Sequence, residues 1–588
     1  MFELIGNLLA PIGLRNPTLE LLNQDEFLYS SLLFQPSEEI EFTNDFIRNR
    51  NNESASSKFR AFFNVAVENH VALAVSPEYS CPWNVISELV ANNNLPEENK
   101  LWIIGCESIK ARALRELFVE YSDVSWVSDH DLIEANLANE HFFNPVCYIF
   151  KTRSIANNAI RTVILIQFKT SPLGGVALQW ERDNFIHGRC IYILENRTES
   201  SRLATLICSD AINQHLHVNE MPGFTNYPYL IVHIQLNPAP NNPTFRSYRA
   251  ATYNLGRENK EFICLNWSCN LTLGDIENWN PYGGSAIYIK GEEDSRYLNI
   301  TDERLDQNQK LGMYYSRWSD RYANIYFLNY NEHLFLLRTT KVSQLGASVQ
   351  QRQRTGPAML AAFSWENGTW ETKPSLDSGF PAACAVLNTT GDYATLLQMN
   401  INNPLNVERL VYLSIGQAVD DNWYSPKKIA FLKVGDDEIS KKITFTQTPC
   451  DPTQAERKLQ LLKYGILEYK IITNPEKIPD NIKDLKNNCS IRYVPAGYER
   501  QYNLNLFPSN GDGTPATGVF IGTNTSDNAQ DILSKIAAFF KGDHFSKRIV
   551  IWFHNGDGEL DYEYSPEPPK ITDNTSQSTR SFRKRIAK

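Results

Sequence analysis

Residues 203–213 read LATLICSDAIN, a short apolar run that ends in a cysteine, Cys208, and then turns polar. A continuous apolar run of this length is typical of a strand that is buried on both faces. Two more runs have the same form: residues 71–80, VALAVSPEYS, which lead to Glu78, and residues 162–172, TVILIQFKTSP, which lead to Lys169. We therefore expect a buried sheet at the centre of the chain, with three reactive side chains placed just after its strands.

The sequence around these runs indicates an α/β protein. A first strand is predicted over 28–34, and a helix beginning at Ser57 is predicted from apolar residues at the spacing of one buried helical face: Phe59, Phe62, Phe63, Ala66 and Val67. Further short apolar runs outnumber the clear helices and predict one or more mixed sheets: residues 101–105, 146–150, 229–234, 261–266, 285–289, 325–329 and 333–337.

The chain changes character at residues 343–355, which are polar and rich in Gln, and we place a domain boundary there. A later strand–helix–strand pattern, over 518–522, 529–541 and 548–554, predicts a second and smaller α/β module. The expected organisation is an N-terminal extension at 1–27, a main domain at 28–345, a β-rich accessory domain at 346–450, a small α/β module at 451–560 and a disordered tail at 561–588.

Composition excludes several classes of protein. The 588 residues are 42% hydrophobic and 21% charged, which is ordinary for a globular protein. The net charge of −10 disfavours nucleic acid as a partner, because binding to phosphates relies on Lys and Arg. No apolar run approaches the ~20 residues that cross a bilayer, so no membrane association is expected. Glu3 stands where a secretory signal would carry positive charge, which favours a cytoplasmic protein.

The three strand-end residues have compatible chemistry. Ligands of layered α/β proteins gather at the carboxyl ends of strands, so one edge could hold all three. A thiol is mostly protonated at neutral pH, so a nucleophilic Cys208 needs a base, and Glu78 can accept its proton. The Lys169 ammonium, together with the backbone N–H of Ser209, could stabilise negative charge on an attacked carbonyl or nitrile. Alone, each residue has a plainer interpretation as a core thiol, a cap or a solvated charge. The combination favours catalysis.

The three segments resemble, in the same chain order, those of the nitrilase or carbon–nitrogen hydrolase superfamily. That family has its Glu in a context like F-P-E, its Lys in one like Y-R-K and its Cys in one like L-I-C-x-D, where this chain has SPEY, QFKT and LICSD. The resemblance covers about 28–345 and implies an α-β-β-α sandwich. It also implies a thioester on Cys208, Glu78 as general base and acid, and Lys169 stabilising the oxyanion. Glu181 is the candidate for a second glutamate that positions the lysine and the substrate nitrogen.

The resemblance implies an enzyme that hydrolyses a non-peptide carbon–nitrogen bond, with a small amide preferred over a nitrile as substrate and no metal or other cofactor. The candidate residues for supporting the site or lining its pocket are Glu181, Ser209, Tyr79, Trp83, Trp180 and Asn237. Members of this superfamily commonly assemble, so a homo-oligomer is expected.

Other interpretations compete for the same residues. Asp210, His215 and His217 follow Cys208 and could suggest zinc, but the sequence nearby lacks a C-x-x-C or a second histidine pair. A Cys208–His dyad would leave the strand-end Glu and Lys without a role. A third alternative stays open: the nitrilase-like domain could be an effector or assembly module of a bacterial anti-phage defence system. Its C-terminal region, about 240 residues without a catalytic motif, would then regulate it through a ligand or protein partner.

Overall fold

A computed structural model describes residues 2–23, 28–172, 179–196, 201–214, 220–237, 240, 243–255, 260–269, 271–273, 284–290, 301–318, 323–340, 356–376, 404–417, 454–493, 503–540 and 543–565. These residues form a mixed α/β structure with large mixed sheets. The chain divides into two compact units. The first unit covers 1–389, 400–408 and 425–458, and the second covers 390–399, 409–424 and 459–588.

The strands of the first unit are, in chain order, β1 (Phe2–Leu4), β2 (Leu28–Gln35), β3 (Glu39–Phe42), β4 (Ile47–Asn49), β5 (Leu73–Cys81), β6 (Leu101–Cys106), β7 (Ile109–Lys110), β8 (Ser125–Val127), β9 (Phe142–Phe143), β10 (Pro145–Arg153), β11 (Ile160–Phe168), β12 (Ile191–Glu195), β13 (Arg202–Ile207), β14 (Tyr229–Ile234), β15 (Lys260–Leu265), β16 (Thr272–Leu273), β17 (Ala286–Lys290), β18 (Met313–Trp318), β19 (Ala323–Leu328), β20 (His333–Thr340), β21 (Ala358–Glu366) and β22 (Thr369–Thr372). Its α-helices are α1 (Gly6–Leu9), α2 (Asn52–Glu68), α3 (Trp83–Ala91), α4 (Ala111–Glu120), α5 (His130–Ala135), α6 (Gln179–Asn184), α7 (Asp210–Gln214), α8 (Pro243–Leu255) and α9 (Asp302–Lys310).

Two large sheets carry the three predicted reactive segments. The nine-stranded sheet has the order β22-β21-β20-β2-β5-β6-β10-β11-β8, and the eight-stranded sheet has the order β1-β12-β13-β14-β15-β17-β19-β18. In the first sheet β2, β5 and β6 run parallel, and in the second β13, β14 and β15 run parallel. Thus β5, which contains Glu78, and β11, which precedes Lys169, belong to one sheet, while β13, which precedes Cys208, belongs to the other. The prediction that Glu78 follows its strand is wrong, because β5 continues past the end of the apolar run to Cys81.

The two sheets are connected through a buried polar side chain. Gln167 on β11 donates from Nε2 to the carbonyl of Thr205 on β13 at 2.9 Å, and its Oε1 accepts from the N–H of Tyr192 at 2.8 Å. Helices pack against a further face of each sheet: α2, α3 and α4 share a core with the nine-stranded sheet, and α7 and α8 share one with the eight-stranded sheet. Continuous apolar strands thus occur because both faces of each sheet are covered.

The predicted helix after the first strand exists, but it begins earlier than Ser57. α2 is capped by Asn51, whose side chain accepts from the Ser54 N–H at 3.1 Å. Ser57 lies within the helix and donates its hydroxyl to the carbonyl of Glu53 at 2.9 Å. The apolar periodicity could not reveal this start, because the first helical residues are polar, and Asn52 and Glu53 are exposed.

Elements outside 28–345 complete both large sheets. β1 lies in the predicted N-terminal extension and pairs parallel with β12. β21 and β22 lie in the predicted β-rich region and extend the nine-stranded sheet from β20. The rest of 346–450 lies outside the described residues, apart from short flanking stretches and α10 (Pro404–Ser414). Within the described ranges, no helix is long and apolar enough to span a bilayer.

The predicted strand–helix–strand order is confirmed in the second unit. After α11 (Gln454–Gly465), the elements are β23 (Cys489–Ile491), β24 (Leu506–Pro508), β25 (Thr517–Thr523), α12 (Ser526–Phe539), β26 (Ile549–His554) and β27 (Leu560–Tyr564). β25 and β26 are parallel and β27 pairs antiparallel with β26. The predicted tail at 561–588 therefore starts too early, because 561–564 are strand residues. Residues 566–588 lie outside the described part.

Candidate active site

Glu78 lies on a bulge of β5. Ser76 pairs with Ile104 of β6, but the next pair joins Cys81 to Cys106, so residues 77–80 arch out of the ladder. The backbone of β6 approaches this arch so closely that a Cβ on Gly105 would lie 2.0 Å from the carbonyl oxygen of Pro77. Glycine is therefore required at this position of β6. The bulge turns the Glu78 carboxylate away from the strand ladder.

Lys169 follows β11 directly, and its backbone is held on both sides. Its N–H donates to the carbonyl of Asn144 at 2.9 Å, and its carbonyl accepts from the N–H of Gly188 at 2.8 Å. A Cβ on Gly188 would lie 2.2 Å from the carbonyl oxygen of Phe168, so glycine is again required for the close approach. The Lys169 side chain is 1% exposed.

Cys208 occupies the sharp turn between β13 and α7. Its φ of 43° lies in the left-handed region, which is uncommon for a residue other than glycine. Its N–H donates to the carbonyl of Ile234 at 2.8 Å, and its carbonyl accepts from His233 Nε2 at 2.9 Å. Burial lowers the pKa of His233 to about 3, so the ring is neutral. The proton lies on Nε2, because this nitrogen faces a carbonyl oxygen, which can only accept. These contacts stabilise the strained turn that carries the thiol.

Asp210 connects the segments of Lys169 and Cys208. One carboxylate oxygen accepts from the N–H groups of Thr170 at 2.8 Å and Ser171 at 3.1 Å, and the other accepts from the N–H of Ile207 at 3.2 Å. A single buried side chain thus joins the end of β11 in one sheet to the end of β13 in the other.

The carboxylates of Glu78 and Glu181 share one ammonium. Lys169 Nζ lies 2.8 Å from Glu78 Oε1 and 2.6 Å from Glu181 Oε1. Asn144 Nδ2 donates to the same two oxygens at 2.7 and 3.2 Å. The other oxygen of Glu78 accepts from the backbone N–H of Leu236 at 2.7 Å. All of these side chains are buried, so they hold one another in a single arrangement.

Burial and charge set the protonation states of the site. Burial raises the pKa of Glu78, and the Lys169 charge only partly opposes this. Burial alone would lower the pKa of Lys169, but the charges of Glu181 and Glu78 outweigh it and raise the pKa, so the ammonium persists. Burial and the charge of Glu78 raise the pKa of the Cys208 thiol well above its usual value. At neutral pH the resting site therefore holds a thiol, and the nearby carboxylate with a raised pKa is a suitable proton acceptor.

A small pocket surrounds these groups. Its described lining consists of Phe42, Ile47, Glu78, Tyr79, Lys169, Glu181, Cys208 and Leu236. It holds about 220 Å³ of empty space, including space open to solvent. The structure therefore brings together the three predicted catalytic residues and two of the predicted supporting ones, Glu181 and Tyr79. The Tyr79 hydroxyl donates to Glu181 at 2.8 Å.

Two predicted lining residues lie elsewhere. Trp83 begins α3 and donates from its ring nitrogen to the carbonyl of Glu107 at 2.8 Å, while its ring packs against the helical core. Asn237 donates its N–H to Asn266 Oδ1 at 3.0 Å, and its side chain is turned towards Gln235. Both residues are close in sequence to the site, but their side chains form their hydrogen bonds outside the pocket, and sequence proximity could not show this.

The remaining predicted residues are placed as follows. The Ser209 hydroxyl donates to the carbonyl of Ser171 at 2.5 Å, and its N–H has no acceptor within the described residues. Trp180 lies in α6, with its side chain outside the described part. His215 and His217 also lie outside it, and no three potential ligand side chains converge on a metal site among the residues that are described.

Sequence reasoning missed the residues that hold the three reactive groups in place. Asn144 bridges both carboxylates, and Gly105 permits the bulge at Glu78. Asn144 directly precedes the apolar run that forms β10, so the available signal was a polar residue beside a buried strand. For Gly105 the signal was a glycine near the end of an apolar run, which often marks close backbone approach.

A scan against protein-family models and a search of curated proteins found no match to this chain. The geometry of the pocket is therefore the basis for any functional assignment.

Proposed function

We propose that this chain is a carbon–nitrogen hydrolase that cleaves a small amide through a thioester on Cys208. The observation that carries the proposal is one pocket in which the buried Lys169 lies between Glu78 and Glu181 and Cys208 forms part of the lining. A paired ammonium and a carboxylate of raised pKa beside a buried thiol supply the nucleophile, the base and the charge stabiliser that acyl transfer requires.

In the acylation step the Cys208 thiol gives its proton to Glu78 as the sulfur attacks the amide carbon. The new C–S bond displaces the carbonyl π electrons onto oxygen. Two of the three Lys169 N–H donors bind the two carboxylates, which leaves one for the oxyanion, and the Ser209 N–H is a candidate second donor. When the carbonyl re-forms, the C–N bond breaks and the nitrogen takes the proton from Glu78. Ammonia or an amine leaves, and the acyl group stays on sulfur.

In the deacylation step a water molecule gives a proton to Glu78 and attacks the thioester carbon. The C–S bond breaks as the carbonyl re-forms, the sulfur regains its proton from Glu78, and a carboxylic acid is released. The Glu181 carboxylate accepts from Lys169, Tyr79 and Asn144, so it keeps the ammonium in place through both steps.

The fold that we propose is the nitrilase-like α-β-β-α sandwich. Its support is that the two large sheets are joined through Gln167 and that each shares a core with its own set of helices. We further propose that the chain forms a homo-oligomer, as the resemblance in the three reactive segments implies.

The decisive experiment is intact-mass detection of covalent labelling by a small electrophile, in wild type, in Cys208→Ala and in a matched control, Cys264→Ala. Cys264 is also buried and lies on β15, a strand of the same sheet, but it is not among the described pocket residues. We expect one label on wild type and on Cys264→Ala and none on Cys208→Ala. Wild type and Cys264→Ala should also release ammonia from small primary amides, and Cys208→Ala should not. Equal labelling of all three proteins would contradict the proposal.

A second candidate function is an effector or assembly module of a defence system, and the observation that favours it is the second compact unit. This unit has its own parallel pair β25 and β26 with α12 beside them. An ordinary small amidase needs no such addition, so the unit is a candidate regulatory region. This function is favoured if Cys208→Ala and wild type label identically and still assemble alike.

A further inference from the structure

Three polar side chains lie at alternate positions along the end of β14 and the residues that follow it: His233, Gln235 and Asn237. All three are buried, and the His233 and Gln235 side chains have no exposed surface. β14 is a central strand between β13 and β15, where buried positions are usually apolar. Buried polar atoms need hydrogen-bond partners, so these three side chains must find theirs within the fold.

The hydrogen bonds of these side chains run in one direction, and we call the three residues the His233 network. Asn237 Nδ2 donates to Gln235 Oε1 at 2.9 Å, and Gln235 Nε2 lies 3.3 Å from His233 Nδ1. His233 Nε2 donates to the Cys208 carbonyl at 2.9 Å. Because the proton of the ring is on Nε2, Nδ1 accepts from Gln235. Each group therefore donates to the next, and hydrogen bonds aligned in this way polarise one another.

The His233 network ends on the peptide group that joins Cys208 to Ser209. This peptide is trans, so the Ser209 N–H points opposite to the Cys208 carbonyl and away from the His233 ring. The ring packs beside Phe245 of α8, with the two ring centroids 5.9 Å apart. The Ser209 N–H has no acceptor among the residues that the structure describes, and Cys208 lines the pocket.

Donation to a carbonyl draws electron density from its peptide group, so the N–H of the same group becomes a stronger donor. It also fixes the plane of the peptide, and with it the direction of the N–H, at a residue whose φ of 43° is strained. We infer that His233 is a positioning residue, which orients and strengthens the Ser209 N–H as a donor to the oxyanion. The inference rests on the proposed function and adds the side chain that prepares this donor.

The test compares two reactions of the Cys208 thiol, of which only one develops an oxyanion. With p-nitrophenyl acetate the sulfur attacks the ester carbon, the thiol proton passes to Glu78, and p-nitrophenolate leaves as the C–O bond breaks. With iodoacetamide the same sulfur displaces iodide from a saturated carbon, so no oxygen gains a full negative charge. Release of p-nitrophenolate and intact mass give the two rate constants, after the values for Cys208→Ala have been subtracted.

His233→Leu removes the side-chain donor, while the carbonyl keeps its bond from the Ala211 N–H at 3.2 Å. It should lower the acylation rate constant by about tenfold, less than the ~10²–10³-fold cost of removing an oxyanion donor outright, and leave alkylation unchanged. His233→Gln, whose amide can donate to the carbonyl, should restore most of the acylation rate. His333→Leu is the matched control, because His333 is also buried but lies on β20 beside Ser364. Both of its rate constants should match those of wild type.

Each outcome decides the inference. A selective loss of acylation in folded His233→Leu supports it, because a ring that only stabilised the fold would affect both reactions alike. Equal losses in the two reactions, or no loss in either, overturn it while the proposed function stands. If thermal unfolding shows that His233→Leu does not fold, Gln235→Met decides, since it keeps the ring but removes the donor to Nδ1. The same selective loss then supports the inference, and an unchanged ratio overturns it. If wild type releases no more p-nitrophenolate than Cys208→Ala, the proposed function fails and the inference fails with it.

Discussion

The amide group of Asn144 should control the pH at which Glu78 can accept a proton. Asn144 Nδ2 donates to Glu78 Oε1 at 2.7 Å, and this contact favours the ionised carboxylate. Replacement by Leu, which has nearly the same shape, removes the donor. Within the described residues the Asn144 Oδ1 has no partner, so the fold gives up no acceptor contact. A hydrogen bond to a charged group is worth about 1.5–3 kcal/mol, and one pH unit corresponds to about 1.4 kcal/mol. Asn144→Leu should therefore raise the pKa of Glu78 by about one to two pH units.

The assay needs no knowledge of the substrate. The rate of Cys208 alkylation by iodoacetamide, measured by intact mass across pH, should fall on the acid side where Glu78 becomes protonated. Because burial already raises the pKa of Glu78, this limb should lie above the usual carboxylate range in wild type and higher again in Asn144→Leu. Asn196→Leu is the control, since the Asn196 amide is also buried but binds the backbone of Leu19. An acid limb at the same pH in wild type and Asn144→Leu, with both folded, would refute the reasoning.

Three further predictions concern the supports of the site. Gly105→Ala places a Cβ 2.0 Å from the carbonyl oxygen of Pro77. It should therefore lower the free energy of unfolding by at least the ~1–3 kcal/mol of an overpacked core, and it should slow Cys208 alkylation. Denaturant unfolding identical to that of wild type would contradict this prediction. Tyr79→Phe removes a donor to Glu181, so denaturant unfolding should show a loss of about 1.5–3 kcal/mol, and equal stability would argue against that contact. The third prediction uses the pKa of His233, which burial lowers to about 3. Between pH 6.5 and 4.5 only the ring of the unfolded chain gains a proton, so protonation favours unfolding as the pH falls. Over this range wild type should lose about 1.4 kcal/mol of unfolding free energy per pH unit more than His233→Gln does. Parallel stability–pH curves for these two proteins would show that the ring is not buried in its neutral form.

The sequence predicted the strands well where both of their faces are covered. The runs leading to Glu78, Lys169 and Cys208 are all strands of the large sheets, because continuous apolar character is what a doubly covered strand requires. The start of α2 was misplaced, because its first residues, Asn52 and Glu53, are polar and exposed and its cap is the polar Asn51. Trp83 was misassigned to the pocket because neighbours in sequence can face different layers of the protein.

By itself the sequence determined which reactive groups the chain possesses and that each directly follows or lies on a buried strand, since burial produces local apolar patterns. Only the tertiary structure decided that Glu78 and Lys169 of one sheet share a pocket with Cys208 of the other, and that Asn144 and Asp210 hold them there. The physical reason is that strand patterns are local, whereas the pairing of strand ends across two packed sheets depends on hydrogen bonds and close backbone approaches between distant residues.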